Sequence, residues 1–419
     1  MGVQDAALVL ILAATVFSLY LRPFGARDWQ IALAGAALAW VAGPIGLREG
    51  VSTIRDSANI LAFFSGLMLL AAGAEAAGLY ARAATLLGRA RTVRGRTGLV
   101  LAAAFVVTSI LSNDATPLIL TPAIAAAAAG DRGLMRRPAF AATFMADGAS
   151  LVLPVSNPVN LLFFERFDLS FGHYVATIGL AAAAGAAAMA VATIAQWRGG
   201  QTEPGEPPEQ GSVDDETGRT AWPALVVVVV LAVAYVAAGL RGIPLGAVTL
   251  GGGIAMFGAA KVSGPVDVRR YRKHVAPGVL VFVAALLLLV ESVERAGLLG
   301  GVGDALHRLE GGPAVVTILG AALIAAVLAN LLNNWPSALL IAAAIAAHPG
   351  NHDALVSGAL IGSTIGANFT VVGSLSTVFW LSLNRQAGVE VSPVDYARAA
   401  AFPTAAGLVA ACLVAALVV

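Results

Sequence analysis

The chain has 419 residues, of which 58% are apolar and only 12% charged, with a net charge of +1. Soluble domains carry about a quarter charged residues, so this composition excludes an ordinary soluble domain and places the chain in a bilayer. The near-zero charge, with no basic tail or basic-aromatic patch, excludes a nucleic-acid partner.

The first apolar run, AALVLILAATVFSLYL, lacks a basic leader and a cleavage signal and reads as a retained span. NILAFFSGLMLLAAGAEAAGL, from Asn59, also reaches the roughly 20 residues that cross hydrocarbon. A basic cluster follows, at Arg82, Arg89, Arg91, Arg94 and Arg96, and another at Arg132, Arg136 and Arg137. Basic loops stay in the cytoplasm. The segment between them, about 99–129, starts and ends on that side and reads as a re-entrant hairpin with arms of about 12–15 residues, too short to span. SNDATP forms its tip. A broken helix follows at about 138–166, around DGASLVLPVSNPVN, then one more span.

Residues 198–220, rich in Pro, Gly and acid, read as a flexible cytoplasmic linker. It divides the chain into 1–197 and 221–419. The second half repeats the first. ERAGL at Glu294 echoes EAAGL at Glu75, LLNNWPS echoes the hairpin tip, and GSTIGANFTVVGSLST echoes the broken stretch. The shifts are all near 219 residues. Lys261, Arg269, Arg270, Arg272 and Lys273 set the orientation of this half. Its hairpin, about 313–347, then enters from outside, and its broken helix lies at about 353–383. The expected fold is an all-α polytopic membrane protein: two inverted repeats, about ten crossings, two hairpins and two broken helices. Both termini fall outside an inner membrane. Internal repeats of this kind build secondary transporters.

Hairpin tips and helix breaks leave backbone groups unpaired, which lipid cannot satisfy, so they line a protein-enclosed cavity. Pro117 and Pro336 suit the first turn of each returning arm. Asn113, Asp114 and Thr116 are expected to cap one broken end and offer side chains to a small solute; Asn333, Asn334 and Ser337 do so opposite. Ser156, Asn157 and Asn160 of the first break are expected to face Asn368, Thr370, Ser374 and Thr377 of the second. Ionisable groups at membrane depth are functional candidates. Asp114 is the first choice for coupling to protons. Asp147 belongs either to the site or to its cytoplasmic mouth.

Other classes find no support. The chain lacks HExxH, a Ser–His pair and GxxxxGK[ST], so neither a zinc or serine intramembrane protease nor a phosphate-loop pump fits. A channel is less apt than alternating access for facing polar tips with a titratable Asp. The five histidines fall in loops or at span ends without metal-ligand spacing, and no cofactor is implied. Glu75 and Glu294 lie near span ends, where Glu294 is expected to pair with Arg295 or Arg308. Cys412, the one cysteine, is an apolar filler.

SNDATPLILTP, MADGASLVL, VSNPVN, LNNWP and GSLSTVFWL together resemble motifs of the arsenite efflux permeases of the ion transporter superfamily. The resemblance covers nearly the whole chain. It implies export of arsenite and antimonite, as neutral trihydroxides, in exchange for protons. In some relatives a cytoplasmic ATPase subunit docks. Sodium/proton antiporters and carboxylate carriers share the architecture and remain alternatives. One departure stands out: Thr364 and Asn368 replace an acid and a base of the family's second break.

Overall fold

A computed structural model describes residues 3–21, 25–43, 45–90, 92–128, 132–197, 221–266, 277–297, 300–347 and 352–419. The expected linker, 198–220, lies outside the described residues, as do Arg91 and the basic run Arg269–Lys273.

The described residues form helices and no strands. This follows from the solvent: in hydrocarbon every peptide group must bond within its own segment. The first half runs α1 (Val3–Leu21), α2 (Asp28–Ala42), α3 (Leu47–Asp56), α4 (Ala58–Ala76) and α5 (Leu79–Gly88). The pair α6 (Val93–Ile110) and α7 (Ala115–Ala127) comes next. Then follow α8 (Arg132–Gly148), α9 (Pro158–Arg166) and α10 (Phe171–Gln196), which contains a π-helical turn at Val175–Gly179. The second half runs α11 (Trp222–Leu240), α12 (Leu245–Ser263), α13 (Pro277–Arg295) and α14 (Gly300–His307). It continues with α15 (Ala314–Leu332), α16 (Asn334–Ala346), α17 (Asp353–Thr364), α18 (Leu375–Gln386) and α19 (Pro393–Val418).

Among the described residues eight helices are long and apolar enough to cross a membrane, which makes this a multi-pass membrane protein. Two of the eight, α6 and α15, are the outgoing arms of the helix pairs, 18 and 19 residues long. The sequence expectation for the first hairpin, arms of about 12–15 residues, makes α6 too short to span. Helix α6 begins earlier than its apolar core and carries Arg94 and Arg96 on its first turn. The returning arms α7 and α16 have 13 residues each. Both pairs turn where expected, α6 ending before Ser112 and α15 at Asn333.

The element order recurs along the chain. Helix α11 starts at 222 and α1 at 3, 219 residues apart, and both have 19 residues. The same spacing separates the starts of α7 and α16, at 115 and 334. The packing is reciprocal: α4 lies on α12 and α2 on α13; α7 lies on α18 and α9 on α16. Corresponding helices α10 and α19 pack on each other. They run antiparallel, since Gly185 meets Gly407 while the Gln196 amide donates to the Ala399 carbonyl at 3.2 Å. At their crossing a β-carbon on Gly185 would sit 2.9 Å from the Gly407 oxygen, and one on Gly407 3.1 Å from the Gly185 oxygen. Small residues here let two backbones touch.

A candidate solute site where two hairpin tips meet two helix breaks

Each hairpin tip is clasped to a break by a backbone hydrogen bond. The Asn113 N–H donates to the Ser156 carbonyl at 3.0 Å, and the Asn334 N–H to the Gly373 carbonyl at 2.8 Å. The breaks follow from Gly, Pro and Asn interrupting apolar helices. In the first, Asn157 caps α9 by accepting from the Val159 N–H at 2.9 Å. The Asn160 amide bonds the Ser150 and Leu153 carbonyls, which lost their helical partners. Two tyrosines 222 residues apart brace the breaks: the Tyr174 hydroxyl donates to the Leu151 carbonyl at 3.1 Å, and that of Tyr396 to Asn368 Oδ1 at 2.9 Å.

The two halves meet at Asp147, at the end of α8, which is 0% exposed. Its Oδ1 accepts from the Asn113 amide at 3.2 Å and from the Ser374 hydroxyl at 2.9 Å. Its Oδ2 accepts from the Thr377 hydroxyl at 3.4 Å. Ser376 adds a bond to the Asn113 carbonyl at 2.8 Å. One carboxylate thus gathers the first tip and the second break. Of the two positions open to Asp147 on sequence, the structure occupies the one among the tips and breaks.

Other expected site residues hold different partners. Asp114 stands half-buried at the start of α7, but its side chain makes no capping bond. The cap is the Ser112 hydroxyl, which accepts from the Ala115 N–H at 3.2 Å. Thr116 bonds Thr108 at 2.6 Å and the Ser112 carbonyl at 3.0 Å, so it fastens the tip rather than capping it. Asn333 caps α16, accepting from Trp335, and its amide donates to the Val372 carbonyl at 2.9 Å. The Ser337 hydroxyl donates to the Asn334 carbonyl at 3.2 Å. Ser156 donates to the Ser109 carbonyl, and Asn157 to the Ser150 hydroxyl. The hydrogen bonds of Ser156, Asn157 and Asn160 thus stay within the first half. The expected facing of the two breaks gives way to a meeting through Asp147 and Asn113, because the break residues first satisfy their own unwound backbone. Asn368 does reach across, to the Phe144 carbonyl at 3.2 Å.

The tips and breaks also hold buried polar atoms without a protein partner, among them Asn113 Oδ1, Asn160 Oδ1, Trp335 Nε1 and Thr370 Oγ1. Buried polar groups are nearly always bonded, which makes these atoms candidates for contact with a solute. Trp335 was not singled out on sequence. It sits two residues past Asn333, edge-on to Phe64 with ring centroids 5.4 Å apart.

The ends of the broken helix differ. One and two turns back from Asp147, Phe144 and Phe140 pack with Trp380 and Tyr396 and close the α8 end. Beyond the α9 end lies a cavity of about 390 Å³. Its rim includes Asp56, Glu165, Arg166 and Glu294, and it reaches Leu162 and Leu339. Here Glu294 pairs with Arg166 of the first half. Arg295, one of its expected partners, is bonded at 2.6 Å to Glu291, one helical turn away. A further departure concerns the histidines: His307 and His352 come together with Glu310.

A family model described as a citrate transporter matches residues 6–366. The arsenical pump membrane protein of Escherichia coli is 26% identical over 408 residues, covering 93% of this chain and 94% of the relative. That of Yersinia enterocolitica is 27% identical over 409 residues, with the same coverage. The crystal structure of the Alcanivorax borkumensis YdaH transporter superposes with a TM-score of 0.55 at 12% identity, covering 96% of this chain and 98% of that one, a likeness of fold alone. With the match over most of its length, the chain belongs to the CitMHS transporter family, within the ion transporter superfamily.

Proposed function

We propose that the chain exports arsenite and antimonite, as uncharged trihydroxides, from the cytoplasm in exchange for protons, alternating access between two inverted halves. The observation that carries this reading is Asp147, buried and held by an amide and two hydroxyls from both halves. A trihydroxide both donates and accepts hydrogen bonds. It can give a hydroxyl hydrogen to the carboxylate and take the place of Ser374 or Asn113 there. A proton on the same carboxylate competes with that contact. Exchange follows, because solute and proton are alternative occupants of one group. Asn113 Oδ1, Asn160 Oδ1, Trp335 Nε1 and Thr370 Oγ1 supply the further acceptors and donors that three hydroxyls need.

The aromatic cluster at the α8 end and the cavity at the α9 end correspond, in this reading, to a closed cytoplasmic gate and an open outer vestibule. The antiparallel crossing of α10 on α19, with reciprocal packing elsewhere, supports two halves related by a two-fold axis in the membrane plane. The relatives' names support the arsenical solute.

The family's description favours a second reading, a carboxylate solute. Neither tip nor either break, residues 111–117, 149–160, 331–337 and 362–377, contains Arg or Lys. An anion would therefore rest on helix-end amides alone. Uptake into everted vesicles separates the readings. Arsenite accumulation that collapses when the proton gradient is dissipated supports metalloid–proton exchange. Citrate accumulation without arsenite accumulation, or drive by sodium alone, overturns it.

A further inference from the structure

Away from Asp147, the turn between α14 and α15 brings three metal-ligating side chains together. His307 ends α14, Glu310 follows three residues on, and His352 stands just before α17, 45 residues beyond His307. The His307 Nδ1 lies 2.6 Å from Glu310 Oε2, and the His352 Nδ1 2.7 Å from Glu310 Oε1. The imidazole centroids are 5.0 Å apart with planes at 69°. One ligand atom from each residue lies within 4.8 Å of the other two.

We propose that His307, Glu310 and His352 bind a divalent transition-metal ion of the zinc type, with a fourth position open to solvent. Two imidazoles and a carboxylate are a donor set that zinc, cobalt and nickel favour, whereas magnesium and calcium seek oxygen. Tetrahedral coordination with bonds of about 2.0–2.2 Å sets ligand atoms roughly 3.3–3.5 Å apart. With ligand atoms within 4.8 Å of one another, the separations need to change by at most about 1.5 Å. Their backbone is already held: Glu310 N–H donates to the His307 carbonyl at 3.0 Å, and Thr317 to the Leu309 carbonyl at 2.5 Å. His352 is 8% exposed, while the Glu310 side chain is 29% exposed and gives an ion its way in.

Partial burial pushes the Glu310 carboxyl up, but hydrogen bonds from His352 and His307 outweigh this and hold it below the usual carboxylate range. It is thus ionised, as a ligand must be. Asp353, next in sequence to His352, lies 3.9 Å from His173. A bound ion would fasten the start of the second hairpin to the start of the second broken helix, closing a loop around α15 and α16. The site does not depend on the identity of the transported solute.

The test uses full-length protein, freed of any affinity tag, stripped with chelator and titrated with Co2+ and Zn2+. One ion per chain is expected. Co2+ should show the strong visible absorption of a low-coordinate site, and Zn2+ should raise the melting temperature. His307→Gln, His352→Gln and Glu310→Gln should each weaken binding about tenfold or more, while His173→Gln should not. Glu310→Gln keeps an oxygen for His352 and guards against a merely unfolded variant; chelated samples should melt alike. Binding should fade on acidification, as protons take the imidazoles. No saturable binding by the wild type overturns the proposal. So does binding that survives all three substitutions.

Discussion

The two hairpin tips occupy corresponding places and make the same backbone clasp, yet their side chains do different things. The first tip is four residues long, Leu111 to Asp114, and sends its Asn113 amide to the Asp147 carboxylate. The second is Asn333 alone, which bonds only backbone, at Val372 and Trp335. Asn333 also sits at φ 73°, ψ 154°, a region almost reserved for glycine. That conformation lets α15 turn straight into α16 within one residue. Both acids of the polar cluster, Asp114 and Asp147, come from the first half. The second answers with hydroxyls, from Ser374, Ser376 and Thr377. A repeated scaffold brings the tips and breaks together, and divergence between its copies gives the first tip a bond to the Asp147 carboxylate and the second only bonds to backbone.

Substitutions can break that contrast. The largest effect is expected from Asp147→Ala, which removes the shared carboxylate and leaves three buried donors unpaired. Each unpaired group costs about 1–3 kcal/mol, so gradient-driven arsenite flux should fall about a hundredfold or more. Next, Asn113→Ala should lower flux about tenfold, the effect of losing one such bond. Asn333→Ala should instead lower the melting temperature with less effect on turnover per folded molecule. Asn333→Gly relieves backbone strain of about 1–3 kcal/mol and should be more stable than Asn333→Ala. Equal losses of turnover in the Asn113 and Asn333 variants would erase the distinction between the tips.

A further substitution probes what the halves share. Gly185→Val places side-chain atoms against the Gly407 carbonyl and should cost about 1–3 kcal/mol of stability. Thermal melting in detergent measures it; an unchanged melting temperature would deny the close crossing. The smallest effect is expected from Cys412→Ser. Cys412 is buried in α19, remote in sequence from both tips and both breaks. Arsenite flux should stay near wild type. A large loss would point to thiol ligation of the solute.

Much of this scaffold was legible in the sequence. Asn, Pro and Gly inside apolar runs mark the turns at Ser112 and Asn333 and the breaks around Pro154 and Gly366, since lipid forbids unpaired backbone except in a cavity. Arm lengths were misread because a helix continues past its apolar stretch, as α6 does through Arg94 and Arg96. Partners were the hardest part. Asp147 and Ser374 are 227 residues apart, and no local pattern joins them. Asp114 looked the better placed acid because it lies within the tip motif, but hydrogen bonding favours Asp147. His307 and Glu310 carry a short-range signal, three residues apart at a helix end. His352 comes from the far side of the hairpin and carries none. The matched tyrosines Tyr174 and Tyr396 share the repeat spacing and could have been found by extending the alignment of the halves.

The most direct measurement compares two modes of transport in proteoliposomes bearing Asp147→Asn. If this carboxylate is the group that proton and solute occupy in turn, the variant should still equilibrate arsenite down its own gradient yet fail to accumulate it when a pH gradient is imposed. Accumulation driven by the pH gradient at the wild-type level would contradict the account.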